Sequence, residues 1–217
     1  MSNTISYIFQ IESGDEVRFD VDLDRPAADG PLPDWTLLEK DQCPHCPLPA
    51  TPGARCPAAA DLAPIVERFS KLASIETVDV RVLRAEYESR KHTDTQTALS
   101  ALMGLILATS GCPILNRMRA LAHTHQPFPT ETEIVYRIVT MHLLDSFLRG
   151  GTPDLTGLSE LFVDIDTLNL AFAKRIKRAT QKDASINALV VLNARSSLAS
   201  LSIEPVLEEI RAWYRRD

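Results

Sequence analysis

The chain is predicted to be α+β: a small N-terminal antiparallel sheet, a hairpin plus a third strand, with a helix and a cysteine-rich loop, followed by a C-terminal helical bundle. Three observations predict it. Residues 5–23 and 77–82 alternate apolar and polar side chains with the period of a strand. From residue 94 onward apolar side chains recur at the three-and-four spacing of helices. Between these regions, prolines and cysteines crowd residues 43–57 and break both periods.

Ile5, Tyr7, Phe9 and Ile11 alternate with polar or neutral neighbours, Glu12-Ser-Gly-Asp15 breaks the run, and Val17, Phe19, Val21 and Leu23 alternate again. That pattern predicts a β-hairpin. Arg18, Asp20, Asp22 and Asp24 interleave on its outer face, and strand alternation already accounts for this carboxylate row without a calcium loop. Asp24 to Pro33 reads as a loop, and Trp35, Leu37 and Leu38 form an apolar patch to pack beneath the cysteines. After Cys56, the positions Leu62, Ile65, Val66, Phe69, Leu72 and Ala73 predict a helix, with Asp61 as its cap and Pro64 in its first turn. A start at Pro57 would instead put Pro64 inside the helix and kink it. Val78, Val80 and Val82 make the third strand.

Asp94 caps a helix whose Ala98, Leu99, Leu102, Met103, Leu105, Ile106 and Leu107 are apolar nearly all round, which makes it central. Gly111 ends it, and Cys112-Pro113 opens a helix through Leu121 and Ala122. Thr130 and Glu133 form a capping box for the next helix, which Gly150 and Gly151 end. A long helix from Leu158 to Ile176 finishes in Lys174, Arg175, Lys177 and Arg178, a basic end that suits the helix dipole; a phosphate site is the second reading of that cluster. Asp183 and Ser202 are placed as caps of the last two helices. About six helices joined by short loops predict an antiparallel bundle. Residues 1–92 are thus expected to form the α+β unit with the cysteine-rich loop, and residues 93–217 the bundle, packed together as one compact domain.

A chain of 217 residues that is 45% apolar and 24% charged can bury a sizeable core. Its net charge of −6 argues against a general nucleic-acid or anionic-membrane binder. Met1 to Gln10 lacks the basic region and apolar run of a secretory signal, and no stretch has the length to span a bilayer, so a cytoplasmic location is expected. In a reducing compartment, four cysteines at uneven spacing are thiols or metal ligands before they are disulfides.

The candidate site is Cys43-Pro44-His45-Cys46-Pro47, followed by Cys56-Pro57, with Cys112 far down the chain. A C-x2-C pair presents two sulfurs across a tight turn; Cys56 supplies a third, and the fold would have to deliver Cys112 as the fourth. Cys43, Cys46, Cys56 and Cys112 are therefore the predicted metal ligands, with zinc the expected ion and an iron–sulfur cluster the alternative. A replacement of one sulfur by His45 or His125 stays open. Thiol–disulfide exchange, with Cys43 attacking and Cys46 resolving, is the rival chemistry. It calls for a helix starting at the first cysteine, which Pro47, Pro49, Pro52 and Gly53 forbid. Ordinary reduced, buried thiols are the bland alternative. His123 and His125 read as surface or hydrogen-bonding groups, and a Cys112–His125 nucleophile and base is a further option that only the fold can test. The chain has no Gly-rich phosphate loop, G-x-S-x-G elbow, H-E-x-x-H or kinase signature.

Cys43-Pro-His-Cys-Pro-Leu48, Cys56-Pro-Ala, Gln96 leading through Ala98-Leu-Ser to Met103-Gly104, Ala108-Thr-Ser-Gly-Cys-Pro113 and His125-Gln-Pro-Phe128 resemble an uncharacterised bacterial family of about this length, from Trp35 to Leu192. The resemblance implies that the four cysteines belong to one pattern, and it carries no activity. At Pro47 the chain departs from zinc-knuckle families, where a glycine lets backbone amides turn toward the sulfur. The function expected is a structural zinc site of four cysteines that joins the sheet to the helices, in a protein with a binding or regulatory role and no predicted catalytic residue. The partner is an unknown protein or small molecule, neither nucleic acid nor membrane, and homo-oligomerisation is left open.

Overall fold

A computed structural model describes residues 3–215, apart from residues 13, 86, 181 and 182. Ser13, one residue of the predicted hairpin turn, lies outside them. Strands β1 (Thr4–Ile11) and β2 (Glu16–Asp22) form the expected hairpin, with Tyr7 opposite Phe19 and Phe9 opposite Val17. Strand β3 (Thr77–Arg84) lies antiparallel to β1 on its other side, setting Val82 against Tyr7 and Val80 against Phe9. Apolar side chains therefore meet across the inner positions of the three strands, and Tyr7, Phe9, Val78 and Val80 are buried. That is what period-two alternation requires of a sheet covered on one face.

A fourth strand, β4 (Tyr87–Asp94), completes an antiparallel sheet of order β2-β1-β3-β4. The sequence pattern misses it for a physical reason. Its inward side chains are Ser89, Lys91 and Thr93, which face a loop and not the core, so no apolar alternation marks it. Lys91 lies 5.1 Å from the centre of the Phe128 ring, and the Tyr87 hydroxyl approaches the His125 carbonyl at 3.4 Å.

Helix α1 (Pro57–Arg68) starts at Pro57 with Cys56 as its N-cap, so Pro64 falls inside it. This corrects the expected cap. Asp61 sits within the helix, where its carboxylate accepts from Arg25 at 2.6 Å. Arg25 also donates to Thr109 Oγ1 and to the Ile106 carbonyl, which fastens the loop after β2 to the end of helix α2 (Thr95–Thr109). Helix α2 is capped by Asp94, whose carboxylate accepts from the Thr97 amide at 2.8 Å. It is central as predicted: it packs on α1, the sheet and helix α6 (Ala184–Leu201), and its apolar residues are buried on nearly every side.

The helix predicted after Cys112 is instead a 3-10 turn, Leu115–Met118, followed by the short helix α3 (Arg119–His123). Thr130 and Glu133 form the capping box of α4 (Glu131–Leu148), each side chain accepting from the other's backbone amide as expected. Helices α5 (Leu158–Lys177) and α7 (Ile203–Tyr214) complete six α-helices after residue 93 among the described residues. Asp183 stands at the N-cap of α6 but does not cap it: its carboxylate accepts from the amide and hydroxyl of Ser74, tying α6 to the turn before β3. Ser202 likewise makes no cap bond and donates to Glu131. One apolar cluster runs from the inner sheet face through α1 and α2 to Phe172, Ile176 and Leu189. A second joins α4, α5 and α7 through Ile138, Phe162 and Ile210. Among the described residues no single helix is long and apolar enough to cross a membrane; α6 and α7 reach that apolarity only together, across a bend of 67°.

His125 follows α3 and shares a 2.5 Å hydrogen bond with the buried Tyr7 hydroxyl. Burial, aided by the charges of Arg137 and Arg84, pushes its pKa down to about 3. The folded state therefore refuses a proton that the unfolded chain accepts below about pH 6.5. Stability from this group is complete above that pH and is lost as the pH falls toward 3, at up to about 1.4 kcal/mol per pH unit. Urea unfolding at pH 6 and pH 5, where few carboxylates titrate, should show that slope in the native chain and lose most of it in His125→Gln.

Candidate functional site

All four cysteines are free thiols, Cys43 and Cys46 half-buried, Cys56 and Cys112 buried. Each is followed by proline, at Pro44, Pro47, Pro57 and Pro113. A residue before proline is steered to extended backbone, which keeps all four thiols out of helix interiors. Cys43 and Cys46 close one tight turn, the Cys46 amide donating to the Cys43 carbonyl at 3.0 Å. Cys56 has extended dihedrals, φ −72° and ψ 116°, at the entry to α1. Cys112 leads into the 3-10 turn, where the Asn116 amide donates to its carbonyl at 2.9 Å.

The two distant segments meet at their prolines and glycines. A side chain on Gly111 would stand 3.4 Å from Pro57 Cβ, so the residues flanking Cys56 and Cys112 are in contact. Burial raises the Cys43 pKa to about 12, and the charges of Cys56, Cys46 and Cys112 each add to the rise. Cys56 is pushed up by burial and by Cys112, and Cys112 by burial and by Cys46. Each thiol thus lies within the field of others in the set. Opposing burial, the amides of Ala59 and Ala58 favour the Cys56 thiolate, and those of Leu115 and Ile114 favour the Cys112 thiolate. Helix and turn entries supply here the amides that Pro47 denies to the knuckle. Among the described residues, no three His, Cys, Asp or Glu side chains are arranged to hold a metal ion as they stand.

Two polar groups at this site lack ordinary partners. His45, between Cys43 and Cys46, has both ring nitrogens shielded from solvent with no hydrogen-bond partner among the described residues. Arg175 is 1% exposed, and its guanidinium donates to the carbonyls of Trp35 at 2.8 Å, Leu37 at 2.5 Å and Leu38 at 3.3 Å. No carboxylate forms an ion pair with it among the described residues. Its charge instead lowers the pKa of Cys43 and Cys56 against the effect of burial. The sequence pattern counts Arg175 among the basic residues of a helix end; the structure keeps it in the last turn of α5 but buries it. Its neighbour Arg178 is exposed and paired with Asp41 at 2.7 Å. The signal available in the sequence is that Arg175 continues the apolar face of Leu168 and Phe172.

The other candidates are spoken for. The Nε2 of His125 is taken by the Tyr7 hydroxyl, and among the described residues no hydrogen bond joins His125 to Cys112 as nucleophile and base. His123 is exposed, and its carbonyl accepts from Arg84. A Cys43 thiol pushed up to about 12 is the reverse of what an attacking sulfur needs.

The molecule is thus an α+β protein in which a four-stranded antiparallel sheet is followed by helices and the half-buried Cys43 and Cys46 pack against the main apolar cluster. It belongs to the family described as domain of unknown function DUF6901, whose model matches residues 5–215. No curated protein and no solved structure matches the chain.

Replacing Arg175 by Met removes the donor from three buried carbonyls. Such a loss should lower the unfolding free energy by about 3–5 kcal/mol, read from urea midpoints. An Arg178→Met change at the exposed pair should cost less than about 1 kcal/mol.

Proposed function

We propose that Cys43, Cys46, Cys56 and Cys112 together hold one structural zinc ion, in a cytoplasmic protein whose work is to bind a ligand or partner and not to catalyse a reaction. The observation that carries this reading is the buried Arg175 charge. A guanidinium withdrawn from water and served only by carbonyls calls for negative charge nearby. Asp41 feels that charge through space but is already paired with Arg178; the thiols of Cys43 and Cys56 also lie in its field. Four thiolates around a divalent cation carry a net negative charge, which would offset the guanidinium where no carboxylate reaches it.

Three further features support it. All-sulfur donor sets suit zinc, and four of them close its tetrahedron. The amides at Cys56 and Cys112 favour thiolates over thiols. The partnerless nitrogens of His45 also mark this turn as incomplete with protein atoms alone. Bound zinc would supply folding free energy, since the unfolded chain has no preformed site. The four residues lie on three segments that a shared ion would join: the loop before α1, the start of α1 and the turn after α2.

Metal analysis of the purified protein should find about one zinc per chain and no visible colour. Cys112→Ser should lose most of the metal, and chelation should lower the melting temperature of the native chain. Four titratable thiols with no metal, or a Cys112→Ser protein that keeps its full zinc, would overturn the proposal. Brown absorption in protein purified without oxygen would assign the same cysteines to an iron–sulfur cluster instead.

A further inference from the structure

A cavity of about 200 Å³ opens within the helical layer, lined by no cysteine among the described residues. Its floor is the small-residue face of α2, Ala101, Gly104 and Ala108, where missing side chains leave the space. A Cβ at Gly104 would stand 3.3 Å from Leu192 Cδ1 of α6, so the two helices approach closely there. Leucine, isoleucine and methionine side chains from the 3-10 turn, α3, α4, α5 and α6 make the rest of the wall mostly apolar.

The charged groups on that wall are of one sign. Arg137 of α4 and Arg195 of α6 line the cavity, and no aspartate or glutamate does so among the described residues. This is against the average for a chain of net charge −6. Arg137 engages the carbonyls of Leu121 and Thr124 through one nitrogen, at 3.0 and 2.9 Å, and feels the Glu133 charge from nearby. Arg195 makes no hydrogen bond and no ion pair among the described residues; Asp94, the cap of α2, acts on it only through space. Burial weakens the hold of both guanidinium groups on their protons. His125, also on the wall, is held neutral and engaged with Tyr7.

We infer that this cavity binds a small apolar monocarboxylate, its hydrocarbon body against α2 and its carboxylate on Arg195, with Arg137 adding charge. A guanidinium offers two parallel donors to a carboxylate, and in an apolar pocket an unpaired one gains more from an anion than it would in water. Size sets the class further. An apolar cavity of about 150 Å³ holds a benzene molecule, so about 200 Å³ admits a single ring or a short chain and excludes a long-chain fatty acid. The inference stands apart from the zinc proposal, since no cysteine lines the cavity.

Calorimetric titration of the native chain with hexanoate, hexan-1-ol and hexylammonium tests it without any variant. Hexanoate should bind, hexan-1-ol at least tenfold more weakly, and hexylammonium not at all. Arg195→Gln should weaken hexanoate at least tenfold while the melting temperature without ligand stays near that of the parent. Ala108→Phe, which occupies the space, should abolish binding of both the acid and the alcohol. No heat with hexanoate at millimolar concentration, equal binding of acid and alcohol, or an unchanged affinity in folded Arg195→Gln would each overturn the proposal. Zinc content measured on the same samples separates this outcome from that of the thiol site.

Discussion

The arrangement depends on one buried cation. Arg175, near the C-terminal end of α5, reaches under the segment Trp35–Leu38 and occupies three of its carbonyls. That segment has little regular structure of its own: a 3-10 turn at Asp34–Thr36 and a single bridge from Leu37 to Arg55. With its carbonyls fixed, it can pair with the far side of the cysteine loop. The Leu38 amide donates to Ala54 at 2.7 Å and the Cys56 amide to Thr36 at 2.8 Å. Cys56 is thereby delivered to the start of α1, and Pro57 comes to rest against Gly111. A single guanidinium thus couples the last third of the chain to the position of a thiol near its beginning. Burying it is unfavourable, and geometry offsets the penalty: five donors in a plane can serve several carbonyls where an ammonium would serve fewer.

Much of this was legible in the residues, and the limits follow from what each signal reports. The hairpin and β3 were readable because the inner positions are apolar and buried while the outer positions of β2 and much of β3 are wet, which imprints period two on the sequence. β4 left no such imprint, since its inner positions are Ser89, Lys91 and Thr93, with Lys91 set over the Phe128 ring. Helix α2 was readable as central because it is apolar all round, and Asp94 and Thr130 as caps because their side chains bond the first-turn amides. Asp61 and Asp183 are not the caps they resemble. Each carboxylate bonds a tertiary partner, Arg25 or Ser74, but only Asp183 stands at a helix start; Asp61 misled because α1 begins four residues earlier, at Pro57.

The four cysteines could be grouped from their Cys-Pro context, but how close the thiols come depends on packing between segments far apart in the chain. Arg175 was hidden for a related reason: a basic residue at a helix end satisfies the dipole argument so well that its apolar neighbours carry no separate signal. The cavity could not be read at all. Ala101, Gly104 and Ala108 look like close-packing positions of a core helix, and only the path of α4 and α6 shows that part of their face is left uncovered.

The outer face of the sheet has its own consequence. Arg81 and Arg90 stand directly opposite each other across β3 and β4, and Glu88 accepts from both, at 2.7 and 2.6 Å. His92 faces Asp79 at 2.9 Å, and on β2 Arg18 pairs with Asp20. Both free borders of the sheet are therefore studded with ions whose hydration another chain would have to strip before docking a strand alongside. Copies of this protein meeting at high concentration are steered away from ribbon-to-ribbon growth, a hazard that a four-stranded sheet with a bare margin would otherwise carry.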